Sequence, residues 1–187
     1  MPVFFETAKS TLAQMANGKT LILLFLAGLV FAVFVFPYRN RALTILSGLK
    51  KPTLDSNLRY GATEAYELFG KLQAEGRKIY ARSEITADLV FPIIYSFFLS
   101  LLIIYIFQKC SLNKPQQFLA MLPFLMLLFD YGENILIALM LFDYPRKHTA
   151  VAEVASVFTK LKWSFFAVTL GSVLFGLTCL VIRSVRK

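Results

Sequence analysis

Residues 116–145 read QQFLAMLPFLMLLFDYGENILIALMLFDYP, and this stretch decides the fold. Up to Asp143 its only charged side chains are Asp130 and Glu133. At about 1.5 Å of rise per residue, such a run crosses a hydrocarbon layer of ~30 Å as a single helix. Three further uncharged runs have the same reading. Spans are therefore expected at about 20–36, 89–107, 115–141 and 163–182.

Composition agrees with that reading. The chain has 187 residues, of which 57% are hydrophobic and only 17% charged, with 19 Phe and 8 Tyr. A soluble domain of this length cannot bury so much apolar surface, so disorder and ordinary water-soluble globularity are both excluded. The formal net charge is +9. In a membrane chain, basic residues flank spans and meet anionic headgroups, so membrane lipids are the expected partners and nucleic acid is not. The expected class is an all-α integral membrane four-helix bundle forming one transmembrane domain.

Outside the spans two amphipathic segments stand out. Residues 3–16 place Val3, Phe4, Ala8, Leu12 and Met15 on one helical face before Asn17-Gly18, which predicts an N-terminal interfacial helix. The apolar run that follows is too long for a signal peptide, and no small-residue cleavage site follows Phe36. In the first loop, Ala65, Leu68, Phe69 and Leu72 recur at i, i+3, i+4 and i+7 within 61–75. That spacing predicts an amphipathic helix resting on the membrane or capping the bundle, broken at Gly76. From Arg77 the pattern can run as one helix into the second span, with Arg77, Tyr80, Glu84 and Asp88 along a polar stripe. Four crossings place both termini on one side. Lys and Arg are about equally dense on the two sides, so the positive-inside rule does not orient the chain.

Asp130, Glu133 and Asn134 sit at i, i+3 and i+4 and share one helix face. Counted inward from the ends of its run, Asp130 falls near the bilayer centre, where a carboxylate costs on the order of 2.5–3.5 kcal/mol. The face must turn into the bundle, and its candidate neighbours there are Tyr95, Ser96 and Ser100 of the second span with Thr169 and Ser172 of the fourth. With no Lys, Arg or His expected at that depth, the two acids would lack a cation and await a proton, a metal ion or a cationic ligand, or a protonated carboxyl would act as a general acid on a lipid-soluble substrate. The alternative is that they bond to Tyr95, Ser96 and Thr169 as interhelical glue. Arg77, Tyr80, Glu84 and Asp88 would form an entry or rim to this site, or Glu84 and Asp88 would simply pair with Lys160 and Lys162. Gly28-x-x-x-Ala32, Ala167-x-x-x-Gly171 and Ser172-x-x-x-Gly176 read as close-packing stripes.

Several chemistries are not expected. There is no C-x-x-C, no Walker loop and no Gly-x-Ser-x-Gly elbow, and the single His148 lies in a loop. No cofactor or metal is therefore expected. Cys110 and Cys179 do not form a disulfide framework.

YGATEAYELFGKLQAEGRKIY (60–80) running into DLVFPIIY (88–95), together with FDYGENILIALMLFDYP (129–145), resembles a group of small four-span bacterial membrane proteins of unassigned function. The resemblance implies that the Asp-x-x-Glu-Asn face belongs to a fold of its own, and it carries over no activity. In layout alone the chain is also similar to the sterol isomerase and sigma-2 receptor superfamily. That similarity implies intramembrane acids around a sterol-sized cavity. Here, however, the acids fall in the third span, and the isomerases' characteristic His and Trp have no counterpart in the spans. The function expected from the sequence is an intramembrane acidic pocket for a lipophilic ligand or substrate, with Asp130 and Glu133 as candidate catalytic acids. The alternatives are an accessory subunit of a larger membrane complex, and a proton or cation path.

Overall fold

Apolar runs this long satisfy their own backbone groups in lipid as helices, and the computed structural model is helical wherever it is regular. It describes residues 11–110 and 116–185. In chain order the helices are α1 (Gly18–Ser47), α2 (Ala62–Lys71), α3 (Gln73–Glu84), α4 (Ala87–Cys110), the short α5 (Gln116–Leu119), α6 (Leu122–Phe142) and α7 (Thr149–Val185). Four helical rods are long and apolar enough to cross a membrane: α1, α3 continued by α4, α6 and α7. The all-α four-span bundle is thus the fold, and the chain is of the multi-pass membrane class.

The expected N-terminal interfacial helix falls largely on residues 1–10, which lie outside the described residues; 11–15 are helical. Asn17 then caps α1, its side-chain oxygen accepting from the Thr20 amide at 3.1 Å. The rods are longer than their apolar runs. The first does not stop at Pro37, because a π-helical turn over Phe31–Val35 precedes it and the helix resumes to Ser47. A widened turn accommodates a proline that can neither donate a hydrogen bond nor tolerate the carbonyl four residues back. The fourth rod begins at Thr149 rather than near Trp163, because Ala152, Ala155, Ser156, Thr159 and Lys162 continue one buried stripe toward the N-terminus.

These extensions carry a second core. Ala65, Leu68, Phe69 and Leu72, the apolar face read in the first loop, pack with Ile137, Met140, Leu141, Ala152 and Ala155. The amphipathic helix therefore caps the bundle and does not lay that face on lipid. It ends at Leu72, before Gln73 with φ +57°, and not at Gly76. Gly76 is a close-approach position instead: a Cβ there would lie 3.2 Å from the Leu72 side chain.

Helix contact depends on glycines only in part as expected. A Cβ on Gly176 would come within 2.6 Å of Ile106, so that position does set the approach of α7 to α4. Gly171 faces open space, and at Gly28 the nearest atom would be an ordinary 3.8 Å away. The tightest approach is at Gly132, where a Cβ would meet the Phe158 ring at 2.5 Å. Gly132→Val is accordingly expected to lower stability by about 1–3 kcal/mol, the range for overpacking. Thermal unfolding of the detergent-solubilised protein checks this, with Phe158→Leu restoring part of the loss.

Candidate functional site

The packing of α6 against α7 brings Glu133 beside Thr159 and Asp130 beside Lys162. Lys162 Nζ donates to Asp130 Oδ1 at 3.0 Å and lies 2.5 Å from Glu133 Oε2. The other carboxylate oxygens are also held: the Tyr95 hydroxyl donates to Asp130 Oδ2 and the Thr159 hydroxyl to Glu133 Oε1, each at 2.7 Å. The expectation that these acids lack a cation is therefore corrected. Lys162 bounds the fourth apolar run, but the helix continues through it and its long stem carries the ammonium back into the bundle.

The level of the site is corrected with it. Asn134 donates to the Asp88 carbonyl at 2.8 Å, and the Tyr131 hydroxyl donates to the Leu89 carbonyl at 2.6 Å. The face thus lies near the Asp88 and Lys162 ends of the uncharged runs in α4 and α7, not beside their middles.

A second buried ion pair lies alongside. Arg39 Nη1 donates to Asp88 Oδ2 at 2.7 Å and to the Ser83 hydroxyl at 3.1 Å, and Nη2 lies 3.8 Å from Asp55 Oδ2. Ser83 in turn donates to Asp88 Oδ2 at 2.7 Å. Neither Glu84 nor Asp88 pairs with Lys160 or Lys162, because Arg39 has reached Asp88 first. Arg39 gets there because α1 runs past Pro37 on one face, Gly28, Ala32, Phe36, Arg39 and Leu43.

Between the two ion-paired groups lies a half-open cavity of about 290 Å³. Its charged wall is Arg39, Asp55, Asp88, Asp130 and Lys162. Its apolar wall is mainly aromatic, with Phe36, Phe91, Trp163 and Phe166, joined by Tyr95, Leu99 and Met126. Phe91 meets Phe36 edge-on at 5.0 Å and Tyr95 at 5.4 Å, which fixes this wall.

Of the residues expected at the site, Asp130, Tyr95 and Asp88 line the cavity. Glu133 and Asn134 stand behind the wall. Ser96 donates to the Pro123 carbonyl, and Ser172 to Val168 of its own helix. Ser100 and Thr169 are buried away from the cavity. Arg77 is not on the rim: it donates to the Phe69 carbonyl and stacks 4.0 Å above the Tyr144 ring. Tyr80 is fully buried, its oxygen accepting from the Leu54 amide at 2.8 Å. Glu84 is also buried, and among the described residues neither of its oxygens has a hydrogen-bond partner. Asp55 Oδ1 is likewise unpartnered.

In the loop after α1, burial pushes the Tyr60 phenol above its ordinary range, and the Glu133 charge adds to the rise. Among the described residues no three His, Cys, Asp or Glu side chains are arranged to hold a metal ion, and Cys110 and Cys179 are both free thiols.

No family model, curated protein or solved structure matches the chain.

The Arg39–Asp88 pair yields a direct prediction. Asp88→Ala leaves a buried guanidinium short of its nearest carboxylate and is expected to cost about 3 kcal/mol, as for other half-broken buried pairs. Arg39→Met combined with Asp88→Asn removes both charges and is expected to recover most of that loss. Unfolding midpoints of the two variants in the same detergent make the comparison.

Proposed function

We propose that the protein binds an amphiphilic small molecule that reaches it through the membrane, in the cavity between the Arg39–Asp88 and Lys162–Asp130 pairs. One observation carries this reading. A single cavity of about 290 Å³ joins a wall of buried, hydrogen-bonded charges to a wall of aromatic and aliphatic side chains. Binding sites of this kind combine an apolar lining with a few fixed polar groups that orient the ligand. Holding ion pairs at the edge of apolar spans is costly to the fold, and a polar head docking there gives the expense a use. Asp130 is the acid in contact with such a ligand, while Glu133 supports it from behind through Lys162. In this reading four crossings place the two termini on one side of the membrane.

The pairing of both acids with Lys162 favours binding over a proton or cation path, since neither carboxylate stands free of a cation. An accessory-subunit role has one observation in its favour. Along α1, Ile22, Leu23, Leu26, Val30, Val33 and Phe34 form an exposed apolar row. In a membrane, lipid covers such a row as readily as a second subunit does.

Trp163 is the only tryptophan in the chain and lines the cavity, so its fluorescence reports occupancy. In phosphatidylcholine nanodiscs, 11-bromoundecylamine or 11-bromoundecan-1-ol is expected to quench Trp163 saturably. Leu99→Phe, which narrows the cavity, is expected to weaken that quenching. Quenching by both probes that only follows their membrane mole fraction, unchanged by Leu99→Phe, overturns the reading.

A further inference from the structure

A second cavity, of about 230 Å³, lies between α1 and α4. Its walls are Leu24, Phe25, Gly28, Leu29, Ala32, Ile94 and Phe98, with Phe91 and Tyr95. Among the described residues no charged side chain borders it. Phe91 and Tyr95 also line the charged cavity, so one pair of rings separates the two spaces. Tyr95 faces both ways: its ring borders the apolar groove, and its hydroxyl is fixed on Asp130. Gly28 keeps the groove open, because a side chain there would project into it.

The charged side of the arrangement is unbalanced. Arg39 and Lys162 are the two cations of the cluster, and both are already engaged with carboxylates. Against them at the cavity wall stand three carboxylates, Asp55, Asp88 and Asp130, with Glu84 and Glu133 buried behind it. Among the described residues the cavity-lining Asp55 keeps one buried oxygen, Oδ1, without a hydrogen-bond partner, and behind the wall both oxygens of Glu84 also lack one. A ligand head that brings a positive charge and several N–H donors relieves this excess. An anionic head would meet carboxylates and find both cations taken. The aromatic rings of Phe36, Phe91 and Trp163 around the same space also favour a cation.

Resting on the binding reading above, we infer that the ligand is a single-chain primary amine. Its ammonium sits among Asp55, Asp88 and Asp130, and its alkyl tail crosses the Phe91–Tyr95 edge into the groove floored by Gly28. A primary ammonium stays charged at neutral pH, as lysine does. A linear chain suits a narrow groove entered over two rings better than a fused-ring body does.

The test is competition against tritiated dodecylamine in phosphatidylcholine nanodiscs carrying the full chain, at pH 7, with empty nanodiscs subtracted. Unlabelled dodecylamine is expected to compete about ten-fold better than dodecan-1-ol, dodecanoate or hexylamine. Asp55→Asn is expected to shrink the preference for amine over alcohol. Gly28→Leu is expected to shrink the preference for dodecyl over hexyl while hexylamine still binds. Ala32→Leu serves the same purpose from the groove's other edge should the first variant not fold. If dodecan-1-ol or dodecanoate competes as well as dodecylamine, the cationic head is wrong while the pocket stands. Unchanged chain-length preference in both groove variants overturns the course of the tail. Absence of saturable binding by dodecylamine and equally by the two other dodecyl compounds overturns the pocket reading itself.

Discussion

The structure depends on one ammonium group placed between two carboxylates. Lys162 holds Asp130 and Glu133 together across the α6–α7 contact, and each of these charges would be untenable there alone. Removing one partner from such a group strands the others in a medium that solvates them poorly. The register of α6 on α7 is thereby set by electrostatics as well as by the tight approach of Gly132 to Phe158. The depth of the polar face follows from the same contact, since Lys162 closes the uncharged run of its own helix.

That register has consequences for the rest of the bundle. Once Asp130 is level with Lys162, the second half of α6 and the first fourteen residues of α7 extend beyond the apolar run of 163–182. They become the platform on which α2 and α3 fold. The loop between the first two spans is thus a cap with its own core, and it supplies Ser83 and Asp55 to the Arg39 cluster. The cavity is the space left where this cap, the start of α4 and the Lys162 level of α7 meet. Its aromatic wall comes from the apolar spans and its charged wall from the boundary with the cap.

Much of this was legible in the residues. The four spans came from apolar runs long enough to cross a bilayer, and the face of Asp130, Glu133 and Asn134 from helical spacing alone. The face of Ala65, Leu68, Phe69 and Leu72 was equally plain, though spacing could not say whether lipid or protein would cover it. The two cations were missed for a common reason: each lies just past the point where hydropathy ends a span. Arg39 follows Pro37, which reads as a stop until a π turn absorbs it. Lys162 immediately precedes Trp163, where the uncharged run of 163–182 begins. Extending the buried stripe Ala152, Ala155, Thr159, Lys162 and Thr169 through the boundary would have put Lys162 on the inner face. The hydroxyls of Ser96, Ser100, Thr169 and Ser172 were placed by depth along their spans, and depth alone does not say which way a side chain turns. The cavity could not be read from sequence at all, because it is a gap between elements distant in the chain.

The central claim is that Lys162 and the acids of α6 act as one electrostatic unit, and a double-mutant cycle on Lys162→Met and Glu133→Gln tests it most directly. Stabilities of the four proteins in one detergent give the coupling free energy. The account predicts that the two losses are far from additive, with a coupling of about 1–3 kcal/mol, as for residues in one buried charge network. Losses that add to within about 0.5 kcal/mol, the behaviour of independent sites, would contradict it.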